Sequence, residues 1–148
     1  MSGRFTHFVI RTLDATANLL GMVAQEPKHL KLGVRGEEEA YFHLRKLGYI
    51  MVARNYRSPR RRSEIDLIGW EGDVLCFIEV KTRGSRNVAT AESAVDHDKA
   101  RVLRRIARQY LLALPDTPDQ VRFDVLSIYY EAQKAADIQL FRGAFEWR

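Results

Sequence analysis

The spacing of hydrophobic and polar positions changes several times along this 148-residue chain, and each change marks a predicted element. Apolar residues three and four positions apart predict helices over residues 32–48 and 98–114, because that spacing forms one face of an α-helix. Apolar runs between turn residues predict strands instead. These predicted strands are residues 49–57, 65–68, 74–80, 121–130 and 137–145. Apolar residues on both faces of 74–80 indicate a strand inside the sheet, covered on both sides.

Charged residues interrupt two of these apolar strands, where a buried strand should carry none. Asp66 lies in the strand predicted at 65–68, Glu79 lies in the strand predicted at 74–80, and Lys81 follows that strand directly. Side chains alternate along a strand, so Glu79 and Lys81 share one face with Leu75 and Phe77. Ionised groups inside a sheet are costly unless they are paired or bound to a metal. The pattern therefore indicates a functional cluster.

The turn between these two strands decides whether Asp66 and Glu79 meet. A two-residue loop at Glu71 and Gly72 places Asp66 diagonally beside Glu79, and a four-residue loop places it directly opposite. A three-residue loop without a bulge would put the two on opposite faces, since one step of register exchanges the faces. We predict that both carboxylates project from the same face, close enough to share one cation.

The helix predicted at 32–48 carries a third candidate carboxylate. Its apolar stripe comprises Ala40, Tyr41, Leu44 and Leu47. Glu37 lies three and four residues before the first two and so joins the stripe, whereas Glu39 falls on the solvent face. The alternative for Glu37 is an acid favoured at a helix N-terminus by the helix dipole. Gly48 is a good residue to end this helix.

Basic residues surround the acidic strands. Arginines crowd the loop that leads into the first acidic strand, where solvation and phosphate contact are both open interpretations. Lys99 extends the apolar stripe of the second helix, where a lysine commonly reaches outward along the domain edge. The predicted nucleic-acid contacts are Arg57, Arg60, Arg61, Arg62, Arg83 and Lys99. Asp124 is a further acid in an apolar run, and we interpret it as structural, paired with Arg122 or a residue of the acidic hairpin.

The composition narrows the class of protein. With 46% hydrophobic residues the chain suits one compact domain with a real core. The net charge of +5 favours a polyanionic partner to a moderate degree. The single cysteine, Cys76, excludes a disulfide within the chain and a cysteine-based zinc site. No apolar run approaches the roughly 20 residues of a membrane span, and we expect a cytoplasmic protein that does not bind membranes.

The first 30 residues are predicted to be an extension, either a short amphipathic helix or a disordered tail, ahead of a domain over residues 31–148. Apolar residues in this stretch have helical spacing, and Arg11 and Asp14 interrupt any signal-peptide core. A second hypothesis is that the native protein begins at Met22 and lacks residues 1–21.

Carboxylates on a helix and on two strands, with a lysine two residues after one of them, suit a hard divalent cation. Mg²⁺ or Mn²⁺ takes oxygen ligands and commonly binds through a few carboxylates plus substrate phosphate. A lysine near the attacking water can orient it, help to deprotonate it or stabilise the developing negative charge. The proposed metal ligands are Glu37, Asp66 and Glu79.

These residues match a known pattern. The segment Glu64-Ile65-Asp66, followed by Glu79-Val80-Lys81, matches the broken motif of the PD-(D/E)XK nuclease superfamily. The chain more closely resembles the YraN-like family of small, largely uncharacterised bacterial endonuclease-like proteins. The matching segments are residues 33–40, 54–57, 64–68, 77–83, 94–99 and 122–125.

The resemblance implies an α/β fold with a restriction-endonuclease-like αβββαβ core, a central mixed sheet flanked by helices. It implies that Asp66, Glu79 and Lys81 are catalytic and that Glu37 is a metal ligand borne on a helix. It also suggests similarity to archaeal Holliday-junction resolvases, which usually act as dimers, and so a homodimer of this chain. One departure is that Arg61, Arg62 and Ser63 stand where family members commonly carry glycines, which makes the loop stiffer and more basic.

Three functions remain open from the sequence. The first is a metal-dependent endonuclease acting on DNA, including branched or damaged DNA. The second is a nucleic-acid-binding protein that keeps the nuclease fold with little or no turnover. The third is a structural or partner-binding domain whose acids and Lys81 form a salt-bridged cluster, although buried ion pairs are weak evidence of a stability benefit.

Overall fold

A computed structural model describes residues 28–59, 63–84 and 97–147 of the chain. Most of these belong to a compact unit, Arg35–Arg148, while the helical residues 28–34 belong to a separate unit. The predictions on Arg60, Arg61 and Arg62 and on residues 1–21 lie outside the described residues. The predicted domain boundary after residue 30 stays a prediction.

Two helices and five strands make up the described fold. They are α1 (Lys28–Lys46), β1 (Ile50–Arg57), β2 (Glu64–Glu71), β3 (Val74–Arg83), α2 (His97–Leu112), β4 (Gln120–Tyr129) and β5 (Asp137–Phe145). The sheet has the order β1-β2-β3-β4-β5. Strands β3 and β4 pair in parallel, across the connection that contains α2, and all other pairs are antiparallel. This mixed sheet flanked by helices confirms the predicted fold class. Neither helix, over the residues described, is long and apolar enough to cross a membrane.

The core consists of two buried clusters, one containing residues of each helix. The cluster with α1 residues is Ala40, Leu44, Tyr49, Leu67, Cys76, Ile78, Leu126 and Ile128. The cluster with α2 residues is Ile65, Ile68, Leu75, Phe77, Leu103, Ile106, Ala107 and Phe123. Alternate residues of β3 therefore enter different clusters, as a strand covered on both faces requires.

The end of α1 follows the prediction with one exception. Gly48 has a φ of 95°, and the N–H of Tyr49 donates to the carbonyl of Leu44 at 3.0 Å. This is the left-handed cap in which glycine avoids the strain of a side chain. The predicted burial of Leu47 is wrong, because that side chain is 47% exposed. Leu47 lies in the cap beyond the last helical residue, so the helical spacing no longer carries it inward.

The acidic hairpin has a different turn from the one predicted at Glu71 and Gly72. Glu71 pairs with Val74, so the loop is Gly72 and Asp73. Gly72 has a φ of 58°, and glycine at the first loop position is typical of a two-residue type II′ turn. Continued by one position, this register would set Asp66 opposite Glu79, as expected for a four-residue loop, but the paired residues end at Leu67 and Ile78.

A charged network joins the hairpin to β4 and β5. Arg122 Nε donates to Asp124 Oδ1 at 2.7 Å, and the same guanidinium binds Glu71. Asp124 is fully buried and also accepts a hydrogen bond from the N–H of Gly143 at 2.9 Å. Arg142 binds both carboxylate oxygens of Glu71. These contacts confirm that Asp124 is structural and pairs with Arg122.

Cys76 lies under this network and is fully buried. The guanidinium of Arg122 contacts its Sγ at 3.3 Å. Burial, reinforced by the charge of Asp124, raises the pKa of the Cys76 thiol to about 12. The side chain therefore behaves as a small core residue.

Gly36 of α1 lies directly against Thr82 of β3 and gives a test of the packing there. A Cβ built on Gly36 would lie 1.9 Å from Cγ2 of Thr82. We expect Gly36→Ala to lower the free energy of unfolding by about 1–3 kcal/mol through overpacking, although alanine is the better helix former. Chemical denaturation measures this change. In a Thr82→Ala background, which lacks Cγ2, the same substitution should cost less; an equal cost in both backgrounds would contradict the contact.

Candidate active site

Strand β2 leaves β3 at Asp66, and this departure creates the candidate site. The ladder between the two strands runs from Glu71 and Val74 to Leu67 and Ile78. At the next position, Oδ2 of Asp66 accepts a hydrogen bond from the backbone N–H of Val80 at 2.7 Å. The side chain thus satisfies a strand N–H, and the Asp66 carboxylate is fixed between the two strands.

Glu79 is the most deeply buried acid of the site, with only 4% of its surface exposed. Its Oε1 accepts hydrogen bonds from Lys81 Nζ at 2.8 Å and from Lys99 Nζ at 2.7 Å. Its Oε2 is buried and has no hydrogen-bond partner within the part of the chain that is described. Buried polar atoms nearly always have a partner, which is often an ordered water or an ion. Among the described residues, Oε2 is therefore the oxygen of Glu79 that is open to a further partner.

Lys99 reaches the site from α2, two residues after the helix begins. Burial acts to lower the pKa of Lys99, but the hydrogen bond to Glu79 and the charges of Glu79 and Asp66 outweigh burial and raise it. Lys99 is thus a permanent positive charge held against Glu79. Sequence spacing placed Lys99 on the apolar stripe, but it did not indicate this partner.

The electrostatic environment of Asp66 favours its protonated form. Burial is the largest cause, followed by the charge of Glu79; the N–H of Val80 opposes them, and the charge of Glu37 adds to them. Together these raise the pKa of Asp66 to about 7. Like charges crowded in a buried place have this effect unless a cation intervenes.

Glu37 lies near enough to Asp66 to influence its charge, which agrees with the predicted inward face of α1. Oε2 of Glu37 accepts a hydrogen bond from the side-chain amide of Asn55 at 2.8 Å. Asn55 belongs to a segment that matches the YraN-like family, but nothing in the sequence around it indicated this contact.

Glu39 does not simply face solvent, as the helical spacing predicted. Its side chain is 18% exposed and forms an ion pair with Arg35 at 3.0 Å. Burial, and next the charge of Glu39, raises the pKa of the Tyr130 hydroxyl to about 12. The prediction failed because Tyr130, just past the end of β4, lies close to this side of α1.

The arginines predicted to contact nucleic acid differ in their surroundings. Arg57 is 69% exposed and donates from Nε to Glu64 at 2.6 Å. An ion pair this exposed contributes at most about 1 kcal/mol, so Arg57 is readily available to another anion. Arg83 lies two residues beyond Lys81, and its Nε is buried with no hydrogen-bond partner in the described ranges.

The acids of the site meet part of the requirements of a divalent cation. Over residues 28–59, 63–84 and 97–147, no three histidine, cysteine, aspartate or glutamate side chains come together closely enough to hold a metal ion by themselves. Mg²⁺ commonly takes only one or two protein carboxylates and completes its coordination with water and substrate phosphate. Asp66 and the unpartnered Oε2 of Glu79 fit that requirement, whereas a direct role for Glu37 stays a prediction.

Comparisons with known proteins identify relatives that cover the site. The model of the uncharacterised protein family UPF0102 matches residues 36–128. A UPF0102 protein of Koribacter versatilis is 51% identical over 142 residues, which is 95% of this chain and 94% of that protein. A UPF0102 protein of Solibacter usitatus is 44% identical over 110 residues, covering 74% and 82% of the two chains. One of Parafrankia is 42% identical over 115 residues, covering 78% and 96%. The matched range contains every candidate site residue on α1, on the three strands β1 to β3 and on α2.

Proposed function

The chain belongs to the uncharacterised protein family UPF0102, and we propose that it is a metal-dependent endonuclease that hydrolyses phosphodiester bonds in DNA, including branched or damaged DNA. The observation that supports this proposal is the meeting of Asp66, Glu79 and Lys81 where β2 leaves β3. The same three residues carry the resemblance to the PD-(D/E)XK nucleases.

Each acid has a distinct part in the proposed site. Asp66 is held by the N–H of Val80, and Glu79 is held through one oxygen by two lysines. Both carboxylates are therefore oriented before any ligand arrives, which lowers the cost of organising the site. A bound Mg²⁺ or Mn²⁺ would lower the pKa of a water molecule and offset negative charge on the phosphate.

Lys81 is the proposed catalytic cation. Its side chain is 23% exposed and so is partly open to a substrate phosphate. In this role Lys81 orients the attacking water and stabilises the negative charge that develops on the phosphate oxygens. Lys99, on the same oxygen of Glu79, keeps that carboxylate paired when Lys81 turns toward substrate.

The basic residues around the site are the proposed contacts to the DNA backbone. Arg57 is exposed at the end of β1, and Arg83 carries an unpartnered donor near the end of β3 within the described residues. Arg60, Arg61 and Arg62 belong to the same proposal from sequence alone. Phosphate contacts of this kind position the nucleic acid and make binding sensitive to salt.

The two lysines on Glu79 also favour a second candidate, a nucleic-acid-binding protein that keeps the fold without turnover. In that protein the lysines neutralise Glu79 permanently, and no metal is required. The two functions share the basic surface and differ only in the chemistry at the acids.

A cleavage assay separates these candidates. Purified protein is incubated with linear, nicked, single-stranded and four-way-junction DNA, with Mg²⁺, with Mn²⁺ and with EDTA. The proposed function predicts cleavage of at least one substrate with metal and none with EDTA. Salt-sensitive binding without cleavage would support the second candidate, and absence of both would overturn the two together.

Substitution of two glutamates on α1 tests the metal site. We expect Glu37→Gln to weaken Mn²⁺ binding, because it removes a negative charge beside Asp66, and Glu39→Gln to change it little, because Glu39 pairs with Arg35. Titration of Mn²⁺ by electron paramagnetic resonance measures both. Equal losses in the two variants would show that Glu37 has no special relation to the site.

A further inference from the structure

Asn55 has an unusual backbone conformation in the middle of β1. Its φ is 47°, in the left-handed region that residues with side chains rarely adopt. Asparagine tolerates this region better than most residues. Asn55 lies between two regular ladder pairs, Arg54 with Leu67 and Tyr56 with Ile65, so the left-handed turn is confined to a single position.

This conformation reverses the direction in which the following side chains of β1 point. Residues two apart on a regular strand share a face, yet the neighbours of Asn55 contact opposite helices. The guanidinium of Arg54 lies 5.1 Å from the ring of Tyr41 on α1. The ring of Tyr56 lies 5.0 Å from the ring of Tyr110 on α2.

The reversal brings the Asn55 side chain to α1. Its Nδ2 donates to Oε2 of Glu37 at 2.8 Å, across a sequence separation of 18 residues. The charge of Glu37 reaches Asp66. A residue in a left-handed conformation on one strand thus holds the helix carboxylate whose charge acts on Asp66.

We infer that Asn55 is a positioning residue for the proposed metal site, where its amide fixes the carboxylate of Glu37 toward Asp66. The metal-binding role of this orientation rests on the proposed function, whereas the hydrogen bond between Asn55 and Glu37 does not. With Oε2 engaged by Asn55, Oε1 is the oxygen through which Glu37 would act on a cation held by the other acids, through a bridging water. Partners of this kind orient the groups around a metal, and their loss commonly weakens metal binding by about 10–100-fold.

A purely conformational role would explain the same φ, and Asn55→Gly separates the two roles. Glycine adopts the left-handed conformation without strain but has no amide. We expect the Asn55→Gly variant to melt close to the wild type and to bind Mn²⁺ about 10–100-fold more weakly. Wild-type affinity in this variant would overturn the inference.

The double variant tests whether Asn55 acts through Glu37. If it does, Asn55→Gly should add little to the loss caused by Glu37→Gln, because the two residues form one unit. Full additivity of the two losses would overturn the inference. This cycle is measured by Mn²⁺ titration, with the melting temperature of each variant as a check on folding.

Nuclear magnetic resonance provides a measurement that needs no metal. The side-chain amide signals of Asn55 should shift in Glu37→Gln and stay in place in Glu39→Gln, its matched control. If the wild type binds no Mn²⁺, the metal part of the proposed function fails. The Asn55 amide signals of Glu37→Gln then test the contact without metal. A shift of these signals supports the hydrogen bond between Asn55 and Glu37, and unchanged signals overturn it.

Discussion

Lys81→Ala is expected to reduce the rate of DNA cleavage by about 10²–10⁴-fold, the usual loss when a positioned acid–base group is removed. DNA affinity and Mn²⁺ affinity should remain close to those of the wild type, because Lys81 acts in the chemical step. Asp66→Asn and Glu79→Gln should instead lower metal affinity as well as rate, since each removes a ligand charge.

The stability of the same variant separates a catalytic lysine from a structural one. Glu79 keeps the ion pair with Lys99 at 2.7 Å when Lys81 is lost. We therefore expect Lys81→Ala to melt near the wild type, whereas loss of both lysines leaves a buried carboxylate unpaired, at a cost of about 3–5 kcal/mol. Lys46→Ala, which removes an exposed positive charge at the far end of α1, serves as the matched control. A well-folded Lys81→Ala variant that cuts DNA at the wild-type rate would overturn the mechanism.

Asp124→Asn is expected to lower the free energy of unfolding by about 3–5 kcal/mol, the range for breaking a buried ion pair by changing one partner. Asp124 is fully buried; its Oδ1 accepts hydrogen bonds from Arg122 Nε and the N–H of Gly143, and its Oδ2 accepts from Arg122 Nη2 and the Tyr49 hydroxyl. An asparagine amide can accept on one side only, and its NH₂ group would face a donor on the other.

The matched control for this variant is Arg142→Ala. Arg142 donates hydrogen bonds to both carboxylate oxygens of Glu71, but its side chain is 47% exposed. Its removal should therefore lower the free energy of unfolding by at most about 1 kcal/mol. Urea denaturation of both variants gives the comparison. Equal stabilities of Asp124→Asn and the wild type would show that the network does not hold β4 to the hairpin.

The fold was predictable from the sequence because each element carries its own local signal. The alternation in β3 assigned its residues to two faces, and Gly48 ended α1 where the apolar spacing stopped. The turn after Glu71 was assigned one residue too early. Either position gives a two-residue loop containing Gly72, and local preference alone did not distinguish them.

The contacts within the site were less predictable because they depend on groups far apart in the chain. Spacing on α1 directed Glu37 inward, but the reversal of β1 at Asn55 has no periodic signal. Lys99 joins Glu79 only because α2 packs across the sheet after a crossover connection. The departure of β2 from β3 at Asp66 also has no local signal. The apolar residues on both sides of Asp66 continue without a break, so the sequence predicts an uninterrupted strand there.

The folded protein should resist thiol reagents, because its cysteine, Cys76, is buried. Alkylation and oxidation both proceed through the thiolate, and this thiol is fully enclosed with its pKa raised to about 12. Since Cys76 is the single cysteine of the chain, its modification by a thiol reagent reports opening of the sheet around β3. The protein thus contains its own probe of the local unfolding that would expose the charged network beside β4.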